Sequence, residues 1–325
     1  MTGLVSTDKQ TLDLLAAKSS DYVEAAELVR GGIVESRHRA IAAVTDPSGK
    51  LIDHLGSAKR VVYPRSAVKP LQTVAMRRAG LDLTGAALTI TSASHQATPM
   101  HTQLVLEVLN SVNLGVDALQ CPTALPSNLA ARAAAQAPSR LFFNCSGKHA
   151  GFLAASKIAG FALDSYLDET HPLQLMVREV IEEFSGEHIV HTTIDGCGAP
   201  LHALTVEGLA RSFGKLAQTE PEIVSAMIEN PAVIGDENTA DAILMRELGV
   251  ISKLGAEGVL ALATREGYGL AVKIADGSHR ASAPILLGLL RKHELISADE
   301  FERVFDLVAP AVLGGDRVVG ELRLL

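Results

Sequence analysis

The sequence predicts an α+β fold: an antiparallel sheet formed from N- and C-terminal strands, packed with helices, plus a helical middle region. Residues 23–56 alternate between apolar and polar positions and contain two turn signals, GG at 31–32 and DPSG at 46–49, which is typical of antiparallel strands. Residues 258–277 form two apolar stretches on either side of the dipeptide EG at 266–267, and this pattern predicts a hairpin near the other end of the chain.

The region between these strands is mostly helical by its spacing of apolar residues. Helices are predicted at 99–112, 128–137, 147–160 and 172–185. Because the residue before a proline avoids the helical conformation, a tight turn should precede a helix from Pro70 to Arg78. Short strands are expected at 87–92 and 188–194, and the chain is expected to close with two helices, at 281–295 and 298–310.

The chain has no Pro/Gly/Ser-rich linker and no repeat of 20–50 residues. We therefore expect residues 1–20 to be an N-terminal extension, with a short amphipathic helix suited to a subunit contact, and residues 21–325 to be a single catalytic domain. A homodimer is the expected assembly.

Composition excludes several classes of protein. The net charge of −8 argues against a nucleic-acid surface. The longest apolar stretch, at 283–290, is much shorter than the roughly 20 residues of a membrane-spanning helix. The N-terminus does not resemble a secretory signal, and three cysteines are too few and odd in number for a disulfide framework. These features indicate a soluble protein of a reducing cytoplasm.

A serine and a lysine lie three residues apart in RSAVKPLQ, residues 65–72. A serine hydroxyl becomes a nucleophile when a base removes its proton, and Lys69 lies one helical turn beyond Ser66. Burial, or the positive charge of Arg65 and Lys148, would favour the neutral amine that this role requires. The alternative is that Ser66 only caps the following helix and that Lys69 is solvated.

Two further segments contain a cysteine beside polar groups. NCSGKHAGF, residues 144–152, places Cys145 at a predicted helix start, where it could be a nucleophile, a metal ligand or a substrate clamp, or simply a buried apolar residue. DGCGAP, residues 195–200, places Cys197 between two glycines. The two cysteines could share a zinc ion, which accepts thiolate and imidazole ligands, although their separation in the sequence does not show it.

The segment SASHQATPMH, residues 92–101, places Ser94 and His95 directly after a predicted strand. Loops that follow strands often contain catalytic groups. The alternative is ordinary turn chemistry, for which serine and histidine are also suitable.

Six blocks together resemble the asparaginase II family, the rhizobial-type or class 3 L-asparaginases. They occur in order from about Val23 to Arg280, and they are LVRGGIVESRHR, YPRSAVKPLQ, SASH, NCSGKHAGFLA, DGCGAP and LGAEGVLALATREGYGLAVKIADGSHRA. The resemblance implies hydrolysis of L-asparagine to aspartate and ammonia. It also implies a fold similar to serine β-lactamases and Ser-Lys glutaminases.

The resemblance implies the site residues as well. Two serine–lysine pairs would be catalytic: Ser66 with Lys69, and Ser94 with Lys273. A zinc ion would be held by Cys145, Lys148 and Cys197, with Asp195 beside it; lysine is an unusual zinc ligand because it must lose its proton to bind. The expected substrate-binding residues are Arg65, His95, Asn144, Lys148 and Gly198.

The chain departs from the family pattern at two segments that are expected to line the substrate site. After the A-S-H motif the family continues with glycine and glutamate, whereas residues 96–98 are QAT; residues 235–245 also differ, although they keep Asp241 and Met245. An amino-acid amide is the expected substrate, and asparagine is the first candidate. A glutaminase-like Ser-Lys amidase and a catalytically weak amino-acid-binding regulator remain alternatives.

Overall fold

The antiparallel sheet predicted from the two ends of the chain is present in the structure, a computed structural model that describes residues 17–325. The described strands are β1 (Val23–Arg30), β2 (Ile33–Thr45), β3 (Leu51–Leu55), β4 (Val61–Val62), β5 (Thr192–Ile194), β6 (Pro200–His202), β7 (Leu204–Thr205), β8 (Ile251–Gly255), β9 (Val259–Ala263), β10 (Gly269–Ile274), β11 (Val312–Gly314) and β12 (Arg317–Leu324).

Strands from both ends of the chain alternate in the main sheet. Its order is β11-β12-β1-β2-β10-β9-β8, and β3 pairs with β2 outside this path. The first half of β2 pairs with β1 and the second half with β10, both antiparallel. Two small two-stranded sheets, β4-β7 and β5-β6, lie apart from it. The predicted α+β class is therefore confirmed.

The main sheet is buried on both faces. In β2, residues 40, 42 and 44 belong to one apolar cluster, and residues 41 and 43 belong to another. The first cluster includes the two C-terminal helices, and the second includes the helices of the middle region. Because successive side chains of a strand point to opposite faces, helices cover the sheet on both sides, and its central strands are consequently apolar at nearly every position.

The described helices are α1 (Lys69–Arg78), α2 (Gly85–Thr89), α3 (Pro99–Ser111), α4 (Leu129–Ala134), α5 (Ser146–Ile158), α6 (Pro172–Ser185), α7 (Val206–Thr219), α8 (Pro221–Glu229), α9 (Pro231–Ile234), α10 (Ala240–Leu248), α11 (Ser282–Lys292) and α12 (Ala298–Val308). Among residues 17–325, no helix has the length and apolar character required to cross a membrane.

Local sequence explains where the middle helices begin and end. The Thr98 hydroxyl accepts from the backbone N–H of His101, and a proline occupies the first turn of α3, an arrangement that favours a helix start. Helix α6 also has a proline in its first turn, and it ends at Gly186, whose φ of +69° is readily adopted by glycine. Helices α3, α4, α5 and α6 all lie close to the positions predicted for them.

Three predictions differ from the structure or fall outside it. The predicted strand at 87–92 is helical, as α2 followed by a 3-10 turn at Ile90–Ser92. The chain does not end in helices, because β11 and β12 follow α12 and β12 pairs with β1. Most of the predicted N-terminal extension, residues 1–16, lies outside the described residues.

Candidate active site

Ser66 lies in a short, constrained turn between β4 and α1. Residues Arg65–Val68 form a 3-10 turn, and α1 begins at Lys69, as predicted from Pro70. Arg65 has a φ of +52°, a left-handed conformation that is unfavourable for a residue with a side chain. Strained backbone of this kind is concentrated at functional sites. It orients the residue that follows, which is Ser66.

The end of β8 packs directly against this turn. A Cβ atom at Gly255 would lie 2.2 Å from the carbonyl oxygen of Pro64, so only glycine allows the strand to approach this closely. The contact fixes the turn relative to the main sheet.

The two serines differ in their surroundings. The Lys69 amine donates to the Ser94 hydroxyl at 3.0 Å and to the Ala93 carbonyl at 2.5 Å, and Lys69 is 1% exposed. Ser66 is partly exposed, and within residues 17–325 its hydroxyl has no hydrogen-bond partner. The structure therefore brings Lys69 to Ser94, although the sequence pattern pairs it with Ser66.

A second buried lysine, Lys253 on β8, lies near Lys69. Its amine donates to the Leu254 carbonyl at 2.8 Å and lies 3.3 Å from a carboxylate oxygen of Asp241. Burial lowers the pKa of Lys253 to about 8; the carboxylate of Asp241 opposes this shift, and the charge of Lys69 adds to it. Lys253 was not among the site residues predicted from the sequence. The signal was a lysine inside the apolar strand VISKLG.

Lys273, the predicted partner of Ser94, is not brought to that serine. It lies on β10 and donates to the carbonyl of Ile274. Burial lowers the pKa of Lys273, and the nearby charges that oppose this shift are those of Glu257 and Asp276. Lys69 holds the position beside Ser94 that was predicted for Lys273.

His95, a predicted substrate-binding residue, is already engaged at both ring nitrogens. The N–H of Ala97 donates to its Nδ1 at 3.1 Å, and its Nε2 lies 2.9 Å from the Ser146 hydroxyl. That hydroxyl donates to the carbonyl of Leu141 at 2.8 Å, so Nε2 is the donor to Ser146. Burial holds the pKa of His95 well below its usual value. The ring is neutral, and its hydrogen bond to Ser146 connects the Ser94 segment to the first residue of α5.

The predicted zinc ligands lie together. The Lys148 amine donates to the Cys197 sulfur at 3.0 Å, and the Cys145 thiol donates to the same sulfur. The hydrogen bond from Cys145 and the charge of Lys148 lower the pKa of Cys197, whereas the pKa of Cys145 is raised by its bond to Cys197 and by burial. The cluster is thus a thiolate held by a thiol and an ammonium.

Whether this cluster can bind zinc depends on which of its side chains can act as metal ligands. Within residues 17–325, no group of three or more His, Cys, Asp and Glu side chains is arranged to hold a metal, so a site here needs Lys148 as its third ligand. Burial lowers the pKa of Lys148, but the charges of Cys197 and Cys145 outweigh it and raise the pKa above its usual value. The set fits zinc only when the metal displaces the protons of Cys145 and Lys148.

A second buried histidine, His149, lies next to Lys148 of this cluster. Nδ1 of His149 lies 2.7 Å from the Tyr166 hydroxyl, which also accepts from the N–H of Gln120. The tyrosine proton is therefore available to Nδ1, which leaves the His149 proton on Nε2, a buried atom without a hydrogen-bond partner among residues 17–325. Burial lowers the pKa of His149 to about 4.

The DGCG segment forms a turn between β5 and β6. The N–H of Gly198 donates to the Asp195 carbonyl at 2.8 Å, and Gly198 has a φ of +92°. Asp195 forms an ion pair with Arg65, with 2.7 Å between Nε and Oδ1. This pair joins the turn to the Ser66 segment. Asn144, a predicted substrate-binding residue, is exposed directly before Cys145.

Comparison with known protein families identifies one matching family model. The family model of L-asparaginase II matches residues 26–324. No curated protein sequence matches the chain.

Solved structures that are similar to the chain include two of Mglu and one of a β-lactamase. Mglu in its glutamate form is 16% identical, with a TM-score of 0.48, over 80% of this chain and 62% of that chain. Mglu in its native form is 14% identical, with a TM-score of 0.45, over 80% and 66%. A β-lactamase from Mycobacterium bovis is 17% identical, with a TM-score of 0.37, over 78% and 94%. The chain spans less than two thirds of the length of either Mglu chain.

Proposed function

Because the chain belongs to the L-asparaginase II family, we propose that it hydrolyses L-asparagine to aspartate and ammonia through an activated serine. The observation that carries this proposal is the 3.0 Å contact between the Lys69 amine and the Ser94 hydroxyl, beside the constrained turn of Ser66. A serine in contact with a buried lysine is one of the recurring arrangements for acyl transfer.

We propose Ser66 as the nucleophile and Ser94 as the group through which Lys69 takes the proton. The hydroxyl of Ser66 is partly exposed and unpaired among residues 17–325, so substrate can approach it. Attack on the side-chain carbonyl carbon would form an acyl-enzyme and release ammonia, with the proton returned to the leaving nitrogen. Water would then hydrolyse the ester to give aspartate.

A second lysine supports this chemistry. Two ammonium groups close together disfavour each other, and the charges of Lys253 and Lys69 interact. With a pKa of about 8, Lys253 loses its charge at mildly alkaline pH. Above that pH the site contains one fewer cation beside Lys69.

Zinc is part of the proposal, held by Cys145, Lys148 and Cys197. A metal ion there would supply positive charge next to the site. The ion pair between Arg65 and Asp195 connects the turn containing Cys197 with Ser66, so that occupancy of the cluster would stabilise the position of the nucleophile.

Ammonia release from asparagine, glutamine and buffer alone tests the proposal. Asparagine hydrolysis that exceeds glutamine hydrolysis supports it. Preference for glutamine would make the protein a related Ser-Lys amidase. Calorimetric binding of asparagine without ammonia release by the zinc-loaded protein would indicate an amino-acid-binding regulator and overturn the proposal.

A further inference from the structure

Two of the cysteines lie close enough to react with each other. All three cysteines of the chain fall within residues 17–325, and each is buried and free. The Cys145 thiol donates to the Cys197 sulfur. The third cysteine, Cys121, lies in the same region, but its thiol is directed to the carbonyl of Arg140 at 3.5 Å. The chain therefore contains one pair of adjacent sulfurs and a third sulfur that is engaged elsewhere.

Both sulfurs of the pair lie just below the protein surface. Cys145 and Cys197 are 4% and 2% exposed. The residue before each of them, Asn144 and Gly196 respectively, is exposed. A small neutral oxidant such as hydrogen peroxide therefore has a short path to the pair, through a local opening of these segments.

The backbone around Cys197 allows the two sulfurs to approach each other. A disulfide bond is about 2.05 Å long, so the sulfurs must move together from hydrogen-bonding distance. Cys197 lies between Gly196 and Gly198 in the turn from β5 to β6, and Gly198 has a φ of +92°. Glycine adopts the widest range of backbone conformations, so this turn can shift without disturbing a helix. Cys145, directly before the first residue of α5, is the fixed partner.

We propose that Cys145 and Cys197 are a site of reversible oxidation, which hydrogen peroxide converts to a disulfide that cannot bind zinc. The Cys197 sulfur attacks one peroxide oxygen, so that an S–O bond forms as the O–O bond breaks and the first water leaves. The Cys145 sulfur then attacks Cys197, and the S–S bond forms as the S–O bond breaks. The leaving hydroxide takes the Cys145 proton and departs as the second water. Two thiols are thus oxidised to one disulfide, and peroxide is reduced to two waters.

The disulfide would change both the metal cluster and its link to the nucleophile. It removes two of the three ligands proposed for zinc, because a disulfide has no proton to exchange for a metal ion. The third, Lys148, is 2% exposed and donates to one of these sulfurs at 3.0 Å. Asp195, in the same turn, pairs with Arg65 at 2.7 Å, so a shift of the turn also displaces the residue before Ser66. The oxidation itself requires neither zinc nor catalysis, and so it does not depend on the proposed function.

Counting the alkylated cysteines of the wild-type protein tests the proposal. The protein is treated with hydrogen peroxide in a chelator buffer, denatured, alkylated with iodoacetamide, digested and analysed by mass spectrometry. Untreated protein should be alkylated at all three cysteines and oxidised protein at Cys121 alone. The peptides of Cys145 and Cys197 should then be joined, with a mass two hydrogens below their sum. Dithiothreitol should restore alkylation at all three. Cys121→Ala is the matched control and should form the same cross-link.

Zinc content after dialysis against a zinc buffer measures the consequence. Reduced protein should retain zinc, and oxidised protein should lose it until dithiothreitol is added. If neither form binds zinc but the cross-link forms, the zinc proposal fails and this inference stands. Equal zinc in both forms, or alkylation of all three cysteines after peroxide, would overturn it. So would oxygen atoms added to Cys197 while Cys145 remains alkylated, a cross-link to Cys121, or an oxygen bridge between Cys197 and Lys148.

Discussion

The amine of Lys69 lies 3.0 Å from the hydroxyl of Ser94, although Ser66 is the serine one turn before it in the sequence. The reason is the shape of the chain at this point. Ser66 lies in a 3-10 turn and Lys69 is the first residue of the following helix. Its side chain extends into the buried space next to residues 93–94, where the Ala93 carbonyl also accepts from it.

The first prediction separates the roles of the two serines. Ser66→Ala should abolish acylation by an electrophilic asparagine analogue, because the nucleophile is absent. Ser94→Ala should keep slow acylation but reduce kcat by about 10²–10⁴-fold, the usual contribution of a proton-transfer group. Intact-protein mass spectrometry and ammonia release would measure the two effects.

Lys69→Met should reduce turnover at least as much as Ser94→Ala, and the double variant should be little worse, since groups that act as a unit are not additive. Ser48→Ala, in the exposed turn at residues 46–49, is the matched control and should have wild-type activity. Full acylation of Ser66→Ala together with none in Ser94→Ala would transfer the nucleophile role to Ser94.

A second prediction concerns the pH dependence of activity. We expect kcat/KM to rise with pH with a midpoint near pH 8, because the pKa of Lys253 is about 8 and the loss of its charge leaves one fewer cation in the site. Histidines should not set this limb. Burial holds the pKa of His149 at about 4 and that of His95 well below 6.5, so both are neutral already.

Lys253→Met should remove or shift the midpoint of the pH profile of kcat/KM. His95→Asn should leave that midpoint unchanged, even if the variant is less active. A pH profile of kcat/KM for asparagine measures both. A midpoint that moves with His95 and not with Lys253 would assign the limb to histidine.

Much of this site follows from sequence patterns, and the exceptions have physical reasons. Local signals such as Pro70 and the Thr98 cap predict helices, because they act within one turn. The pairing of Lys69 with Ser94 depends on a tertiary approach that spacing does not encode. Lys253 was missed because a lysine in a strand is ordinarily exposed, and here a buried Asp241 compensates it. The terminal strands were missed because the segment 312–324 is short and its apolar residues are interrupted by three glycines and four charged residues.

The third prediction tests the contact between β8 and the Ser66 turn. Gly255→Ala should cost about 1–3 kcal/mol of unfolding free energy, the usual penalty of overpacking, because its Cβ would lie 2.2 Å from the Pro64 carbonyl oxygen. Activity should fall more than stability predicts, since the displaced turn contains Ser66. Gly115→Ala is the control, because its Cβ would meet nothing within 4 Å. Urea denaturation measures the stability of the two variants, and ammonia release measures their activity. Equal effects of Gly255→Ala and Gly115→Ala in both assays would contradict the prediction.

The fourth prediction concerns zinc and uses the third cysteine as a control. Cys197→Ser should lose most bound zinc, because the sulfur shared by Lys148 and Cys145 is removed. Cys121→Ala should retain it. Cys121 is also buried, but burial raises its thiol pKa to about 11, which opposes metal binding. Elemental analysis after dialysis against a zinc buffer measures both variants, and equal zinc content in the two would refute the assignment.

The last prediction links Lys253 to stability. Its pKa is about 8 in the folded protein, whereas the ordinary lysine value of 10.5 applies to the unfolded chain. Between these values the unfolded chain binds more protons at this site, so the free energy of unfolding should rise with pH from about 8 to 10.5. The contribution is lost again as pH falls to 8, where the buried site must hold the ammonium. The shift corresponds to about 3 kcal/mol, at 1.36 kcal/mol per unit.

Lys253→Met should flatten this rise, because the titrating group is gone. It should also lower stability below about pH 8, where wild-type Lys253 is charged, since Asp241 is left buried without its cation, and breaking a buried pair costs about 3–5 kcal/mol. Lys157→Met, at an exposed lysine on α5, should leave the rise unchanged. Urea titrations at pH 7, 8, 9 and 10 distinguish the variants. A rise of wild-type size in Lys253→Met would show that another group titrates in this range and that the amine of Lys253 is not the one that burial perturbs.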